Sequence, residues 1–231
     1  MYNSQQVGAV IVAAGYGERM KGLDKIFTQL GSASVLEHVL SVFINSSYID
    51  SIAIVLNEKN IEKGNALFHQ GTLSKTLSVA LGGKRRQDSV MAGIGSLPPC
   101  EWIIIHDGAR PFLTESHIVC GLDAAQETGA AVAAVPVKDT IKTANKNYVS
   151  ETLDRKTLWA IQTPQVFRSK TIIDAYSALT VDVTDDAAAV EKIGVRVKLF
   201  MGSYNNIKIT TQEDLCIAKY ILEGKSQCAS D

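Results

Sequence analysis

The run VGAVIVAAGYGERMKGLDK, Val7 to Lys25, decides how the rest of the chain is read. Its first part, Val7 to Ala14, is an unbroken apolar stretch, long enough for a strand buried on both faces. The stretch stops at Gly15-Tyr16-Gly17, where the chain has to turn, and Arg19, Lys21 and Lys25 follow directly. A strand that ends in a glycine-bearing loop leaves backbone N–H groups unpaired, and the cations add positive charge. That combination suits phosphate.

Several loops share this outline. A dinucleotide fingerprint requires a third glycine where Met20 stands, and a Walker-type loop requires a Gly-Lys-Ser/Thr triplet that does not follow. What remains is a nucleotide loop in which Arg19 and Lys25 do much of the charge work, or an ordinary strand-to-helix turn with surface cations. The first stretch alone leaves both open.

A chain of 231 residues fits one α/β domain (1–231) better than two small ones. It can bury a sizeable core without disulfide or metal staples. Hydrophobic residues at 46% and charged residues at 20% are ordinary for a globular protein. No apolar run is long enough to span a membrane, and MYNSQQ lacks the basic-then-apolar pattern of a signal peptide, so the expectation is a cytoplasmic protein without membrane attachment. Cys100, Cys120, Cys216 and Cys228 are scattered and read as reduced thiols, and the four histidines show no zinc-ligand spacing. With 23 basic and 24 acidic residues the net charge is −1, which argues against a general nucleic-acid binder but permits a local positive cleft.

Along the chain, strand and helix patterns alternate. Ser34 to Ser47 places Val35, Val39, Val42 and Phe43 on one helical face, with Ser34 as N-cap. Strands are expected at 51–56, 76–81, 102–105 and 130–135, with helices over 59–69 and 114–128. This alternation predicts a parallel sheet with helices on both faces. In such sheets ligands sit outside the carboxyl ends of the strands. Three loops rich in chemistry leave those ends: 15–25, then GGKRRQDS at 82–89, then HDGAR at 106–110. Their common edge favours a binding site over a chance scatter of polar turns.

Residues 138–160 interrupt the alternation with two short polar strands, 139–142 and 148–153, around an Ala144–Asn147 turn. Such a hairpin has little apolar area of its own and must lie against something else. After it, Thr163-Pro164-Gln165-Val166-Phe167 leads into a helix over 170–179. Thr184 is expected to cap the next helix, with Asp185 and Asp186 as first-turn charges. Strands are expected at 195–200 and 206–210, and an amphipathic helix at 211–222, beyond which GKSQCASD shows no core pattern.

AAGYGERM with Lys25, GGKRRQDSV, HDGARP, the DTIK and LDRKTLW pair, QTPQVF, TDDA and NIKITT stand in this order. Over about Val7 to Leu222 they resemble the 2-C-methyl-D-erythritol 4-phosphate cytidylyltransferase family of the non-mevalonate isoprenoid route. Ala13-Ala14-Gly15, Asp88-Ser89-Val90 and Leu153-Asp154-Arg155 favour this branch over the related ribitol-5-phosphate cytidylyltransferases.

The resemblance implies a Rossmann-like α/β fold with a protruding hairpin arm (138–160) and a homodimer formed through that arm. It implies transfer of the cytidylyl group of CTP to 2-C-methyl-D-erythritol 4-phosphate, with release of pyrophosphate and with Mg²⁺ as cofactor. Ala13, Ala14, Gly15, Gly83 and Ser89 would contact the nucleotide, with Arg86 as loop support. Arg19 and Lys25 would brace the triphosphate, and Asp107 would hold the metal. Thr140 and Arg155 of the arm would meet the sugar phosphate with Thr163 and Lys208. Asp24 beside Lys25, and Asn205 and Asn206 where some members carry an acid, depart from the family pattern.

The chemistry suits this residue set. A phosphate monoester with a second pKa of about 6 is mostly dianionic at neutral pH and needs no general base. The obstacle is the approach of one anion to another, and the remedy is positioned positive charge. Other readings are a cytidylyltransferase for another polyol phosphate, a nicotinamide-dependent oxidoreductase, which Met20 disfavours, and a nucleotide sensor without turnover.

Overall fold

A computed structural model describes residues 1–15, 24–68 and 75–228, with side chains as far as residue 224. At its centre is a seven-stranded sheet. The strands are β1 (Val7–Ala13), β4 (Ser51–Leu56), β5 (Thr76–Leu81), β6 (Trp102–Asp107), β7 (Ala130–Pro136), β10 (Trp159–Arg168) and β11 (Lys198–Met201). Two-residue strands β2 (Gln29–Leu30) and β3 (Ala33–Ser34) form a small hairpin before the first helix, and β8 (Lys142–Asn145) pairs with β9 (Tyr148–Thr152) in a separate hairpin. The spatial order is β11-β7-β10-β6-β1-β4-β5. All pairings in this sheet are parallel except those of β10, which runs antiparallel to both β6 and β7.

Although β1, β4 and β6 read as continuous apolar runs, their residues still divide by period two between the two faces. Ala9, Ile11, Ile52, Ile54, Trp102 and Ile104 pack on one side with Phe43 of α1 (Val35–Asn45) and Ile118 and Leu122 of α4 (Glu115–Ala125). Val10, Val55, Ile103 and Ile105 pack on the other. They meet Val90 and Ile94 of α3 (Arg86–Gly95), Ile172 of α5 (Ser169–Ala178) and Val190 of α6 (Asp186–Lys192). Each fully buried Val, Leu, Ile or Phe among them contributes roughly 1.5–3 kcal/mol. Helix α2 (Ile61–Phe68) covers the β5 edge, and α7 (Gln212–Cys228) joins a third cluster of Leu30, Val35, Phe112, Ile209 and Ala218. The Ser34 N-cap is present as a complete capping box with Glu37.

Several sequence expectations are corrected. The QTPQVF segment does lead into a helix, α5, but it is itself part of β10, a ten-residue strand that the sequence reading left unassigned. Pro164 and the polar Gln162, Thr163 and Gln165 hid it, because a proline inside a run argues against a strand. The register of β10 against β7 shifts between Ile161 and Gln165, and this irregularity turns those polar groups inward. Residues 206–210 are not a strand. Ile207 and Ile209 alternate inward, but the segment docks through Ile209 N–H donating to Ala109 O at 2.9 Å instead of through a ladder. The cap of α6 is Asp185, whose carboxylate accepts from the Ala188 amide, not Thr184. The closing helix runs on to Cys228, past the expected end at 222, and the hairpin strands lie at 142–145 and 148–152. His69, the expected end of the second helix, lies outside the described residues. No described helix is long and apolar enough to cross a membrane.

Candidate active site

The parallel strands β1, β4, β5 and β6 all end on one edge, and the chemical groups collect there. From the end of β1 come Ala13, Ala14 and Gly15, and from the stretch just before β2 come Lys25 and Ile26. The loop between β5 and α3 brings Gly83, Lys84, Arg85 and Arg86, with Ser89 from the first turn of the helix. The end of β6 supplies Asp107 and Ala109, and the docked segment supplies Lys208 and Thr210. Together they line a cleft of about 430 Å³.

Gly82 lets the second loop meet the first, and Gly83 lets the second loop close on the helix that follows it. A Cβ on Gly82 would lie 2.3 Å from Cβ of Ala14, and one on Gly83 would lie 2.3 Å from Cβ of Asp88. Neither distance is compatible with packed carbons, so a side chain at Gly82 would push the two loops apart and one at Gly83 would force the second loop away from α3. The Ser89 hydroxyl closes the second loop, accepting from Gly83 N–H at 3.2 Å and donating to Arg85 O at 3.2 Å. Lys208 reaches the cleft because its segment is tied to the end of β6 twice, by Ile209 to Ala109 and by Arg110 Nη1 donating to Asn206 O at 2.8 Å.

Among the described residues that line the cleft, Asp107 is the one carboxylate. Its Oδ2 lies 3.0 Å from Lys208 Nζ and 3.3 Å from Arg110 Nε, while Arg86 Nη2 stands 3.8 Å from Oδ1. Burial alone would raise its pKa. Lys208, Arg86 and Arg110 outweigh burial and hold the carboxyl well below the usual range, so it is ionised at neutral pH.

Beneath Asp107 runs a chain of buried hydrogen bonds. The Asp107 amide donates to Thr163 Oγ1 at 3.0 Å, and Oγ1 lies 3.1 Å from His106 Nδ1. On the far side of the ring, Nε2 lies 3.1 Å from Arg110 O. A carbonyl only accepts, so Nε2 carries the proton and Nδ1 accepts from the Thr163 hydroxyl. Burial pushes the His106 pKa down to about 4, which keeps the ring neutral. The unfolded chain therefore takes up a proton at His106 below about pH 6.5 that the folded chain refuses until about pH 4. This group's contribution is complete above the upper value and is lost as the pH falls between the two, on the order of 3 kcal/mol in total. Urea unfolding at pH 7 and pH 5 should show a drop in midpoint that is clearly smaller in His106→Gln. An equal drop in both proteins would remove His106 from the account.

Of the residues expected from sequence, the cleft brings together Ala13, Ala14, Gly15, Lys25, Gly83, Arg86, Ser89, Asp107 and Lys208. Arg19 lies outside the described residues. Thr163 is close by but does not line the cleft, being buried with its hydroxyl committed to Asp107 and His106. Thr140 and Arg155 are exposed on the arm, where Arg155 Nη1 donates to Lys138 O at 2.6 Å. Asn205 is exposed as well. Sequence reading gave no role to Arg110, although it follows Asp107 by three residues in HDGARP, nor to Lys84, Arg85 or Thr210 of the lining.

A family model described as 2-C-methyl-D-erythritol 4-phosphate cytidylyltransferase matches residues 7–224. A protein of that name from Dehalococcoides mccartyi is 49% identical over 96% of this chain and 99% of its own length. Another, from Halalkalibacterium halodurans, is 42% identical over 96% of this chain and 99% of its own. Among solved structures, the 4-diphosphocytidyl-2C-methyl-D-erythritol synthase of Anaerococcus prevotii superposes with a TM-score of 0.85 at 31% identity. It covers 95% of this chain and 96% of that one. Similarity of this extent, running through every loop that forms the cleft, leads to one conclusion: the chain belongs to the 2-C-methyl-D-erythritol 4-phosphate cytidylyltransferase family and is a nucleotidyltransferase.

Proposed function

We infer that this protein transfers the cytidylyl group of CTP to 2-C-methyl-D-erythritol 4-phosphate, releasing pyrophosphate, and that the cleft around Asp107 is where it does so. Family membership supplies the overall reaction. What supports the location is the convergence of Lys25, Arg86 and Lys208 on one cleft beside the two glycine-shaped loops.

Ala13, Ala14, Gly15 and Gly83 bring backbone close to the nucleotide, and Ser89 and Arg86 keep their loop in shape. Lys25 faces the triphosphate, and the family resemblance gives Arg19 the same role. Lys208 takes the acceptor phosphate, steered by its contact with Asp107. The acceptor oxygen is already anionic and attacks the α-phosphate in line, so no residue has to remove a proton. His106, neutral and with both ring nitrogens engaged, orients Thr163 and Asp107 instead of acting as a base.

The donor chemistry suits a hard divalent cation. Among the described residues no three His, Cys, Asp or Glu side chains converge as a ready-made metal site. An ionised carboxylate beside a triphosphate cleft is the setting in which Mg²⁺ takes its remaining ligands from phosphate and water. Asp107 would hold it, and the ion would supply charge neutralisation across the triphosphate.

The arm supports a homodimeric reading. Its strands are wholly exposed, with Tyr148 80% and Val149 62% accessible. At its root Ile161 and Met201 flank Ala134 in one register row and are exposed too. Apolar surface so placed calls for a second copy, to which the arm would present Thr140 and Arg155 against the sugar phosphate.

A pyrophosphate-release assay with CTP and a panel of phosphorylated polyols tests the function. Turnover should be greatest with methylerythritol phosphate, and faster turnover with ribitol 5-phosphate would reverse the assignment.

A further inference from the structure

On the far side of Arg86 from the cleft sits a second carboxylate that the reaction does not use. Asp186, at the first position of α6, is completely buried. Its Oδ1 receives Arg86 Nη1 at 2.5 Å and the Tyr176 hydroxyl, while Oδ2 meets no hydrogen-bond partner among the described residues. Gln165 of β10 locks this corner from both sides. Its Nε2 donates to Asp185 Oδ2 at 2.9 Å, and its Oε1 accepts from the Ala187 amide at 2.9 Å. Asp186 is thus held between two pinned neighbours.

The same guanidinium faces Asp107 with its other terminal nitrogen, but at 3.8 Å, beyond hydrogen-bond distance. Oδ2 of Asp107 is already taken by Lys208 and Arg110. Oδ1 is the oxygen left for a metal ion, and the arginine that could cap it is drawn the other way. Arg86 is mostly buried, its side chain 26% exposed, so it has little water to turn to if Asp186 lets go. A buried ion pair alone is weak evidence for stability. One whose cation separates a second carboxylate from the cleft has a further use.

We propose that Asp186 is a positioning residue for metal binding: by holding the Arg86 guanidinium it keeps Oδ1 of Asp107 open to the divalent cation. This rests on the reading that Asp107 holds the metal. Neutralise Asp186, and the guanidinium closes on Asp107 as a hydrogen-bonded pair, occupying the lone pairs that the ion needs.

The readout is the gain in CTP affinity that Mg²⁺ provides, measured by titration calorimetry as the ratio of dissociation constants in EDTA and in excess Mg²⁺, without acceptor. Asp107→Asn should collapse this ratio. Asp186→Asn should cut it by about tenfold, within the usual range of coupling between two ligands, and Arg86→Gln added to Asp186→Asn should restore it to within about threefold. A merely structural Asp186 would lower the unfolding midpoint without this pattern. A wild-type ratio in Asp186→Asn, beside a collapsed one in Asp107→Asn, overturns the proposal and leaves the metal reading standing. A ratio that stays low in the double variant overturns it as well. An undiminished ratio in Asp107→Asn removes the metal reading, and the proposal with it. If Asp186→Asn does not fold, the charge-neutral double variant decides: a wild-type ratio supports the proposal and a collapsed one ends it.

Discussion

Replacing Lys25 by alanine should lower kcat by about 10²–10³, the usual effect of deleting one preorganised cation from a site where charge develops, or about 3–4 kcal/mol of barrier. Lys25 is half-buried at the rim of the cleft, and its segment is anchored independently by Phe27 N–H to Asp24 O at 3.1 Å and by Leu36 N–H to Ile26 O at 2.8 Å. The variant should therefore fold, with an unfolding midpoint close to that of the parent. CTP affinity should fall by much less than kcat, because the glycine loops that hold the nucleotide are untouched. Asp24, next in the chain, lowers the local positive potential and so makes the site more dependent on Lys25. Steady-state kinetics alongside circular dichroism checks both halves, and a folded variant turning over at a near-normal rate would displace Lys25 from the reaction.

The second large effect concerns the arm. Arg155→Ala should raise the KM for the polyol phosphate by tens of fold or more, as expected from losing about 1.5–3 kcal/mol of charge-assisted hydrogen bonding, and should leave the KM for CTP nearly unchanged. If the arm serves a partner's cleft, the Lys25→Ala and Arg155→Ala proteins complement each other. After subunit exchange about half of the dimers are mixed, each with one site that has an intact core and an intact arm, so roughly a quarter of parental activity returns. Exchange should be followed independently, for example with two fluorescent labels. Exchange without recovery means that the arm acts on its own chain, or that Arg155 is not a substrate contact.

The shared edge of the three loops at 15–25, 82–89 and 106–110 is legible in the sequence as one candidate site, because a parallel sheet delivers its strand ends to one edge and glycines mark where backbone must come close. Nearly all of the resulting expectations lie in one cleft. Harder to see was β10. Its buried Gln162, Thr163 and Gln165 look like loop residues in sequence, and only their partners reveal the purpose: Gln162 Nε2 donates to Ser203 O, Thr163 meets Asp107 and His106, and Gln165 holds the start of α6. A polar side chain is buried when a distant group satisfies it, and no local pattern records that. The same holds for the TDDA motif. Both acids look like first-turn helix charges, yet Asp185 caps the helix while Asp186 goes fully buried to Arg86, one hundred residues away.

By itself, then, the sequence determined the layer architecture, through apolar runs and helical stripes, and the common edge of three glycine- and cation-bearing loops, while resemblance to a known family named the individual residues there. Runs, stripes and loop motifs are local properties, since each depends on side chains a few positions apart. The tertiary structure alone decided which cation faces which carboxylate: Lys208 and Arg110 to one oxygen of Asp107, Arg86 divided between Asp107 and Asp186. Coulomb pairing in a buried site is set by distances of a few ångströms between segments far apart in the chain. Those distances exist only after the sheet has closed.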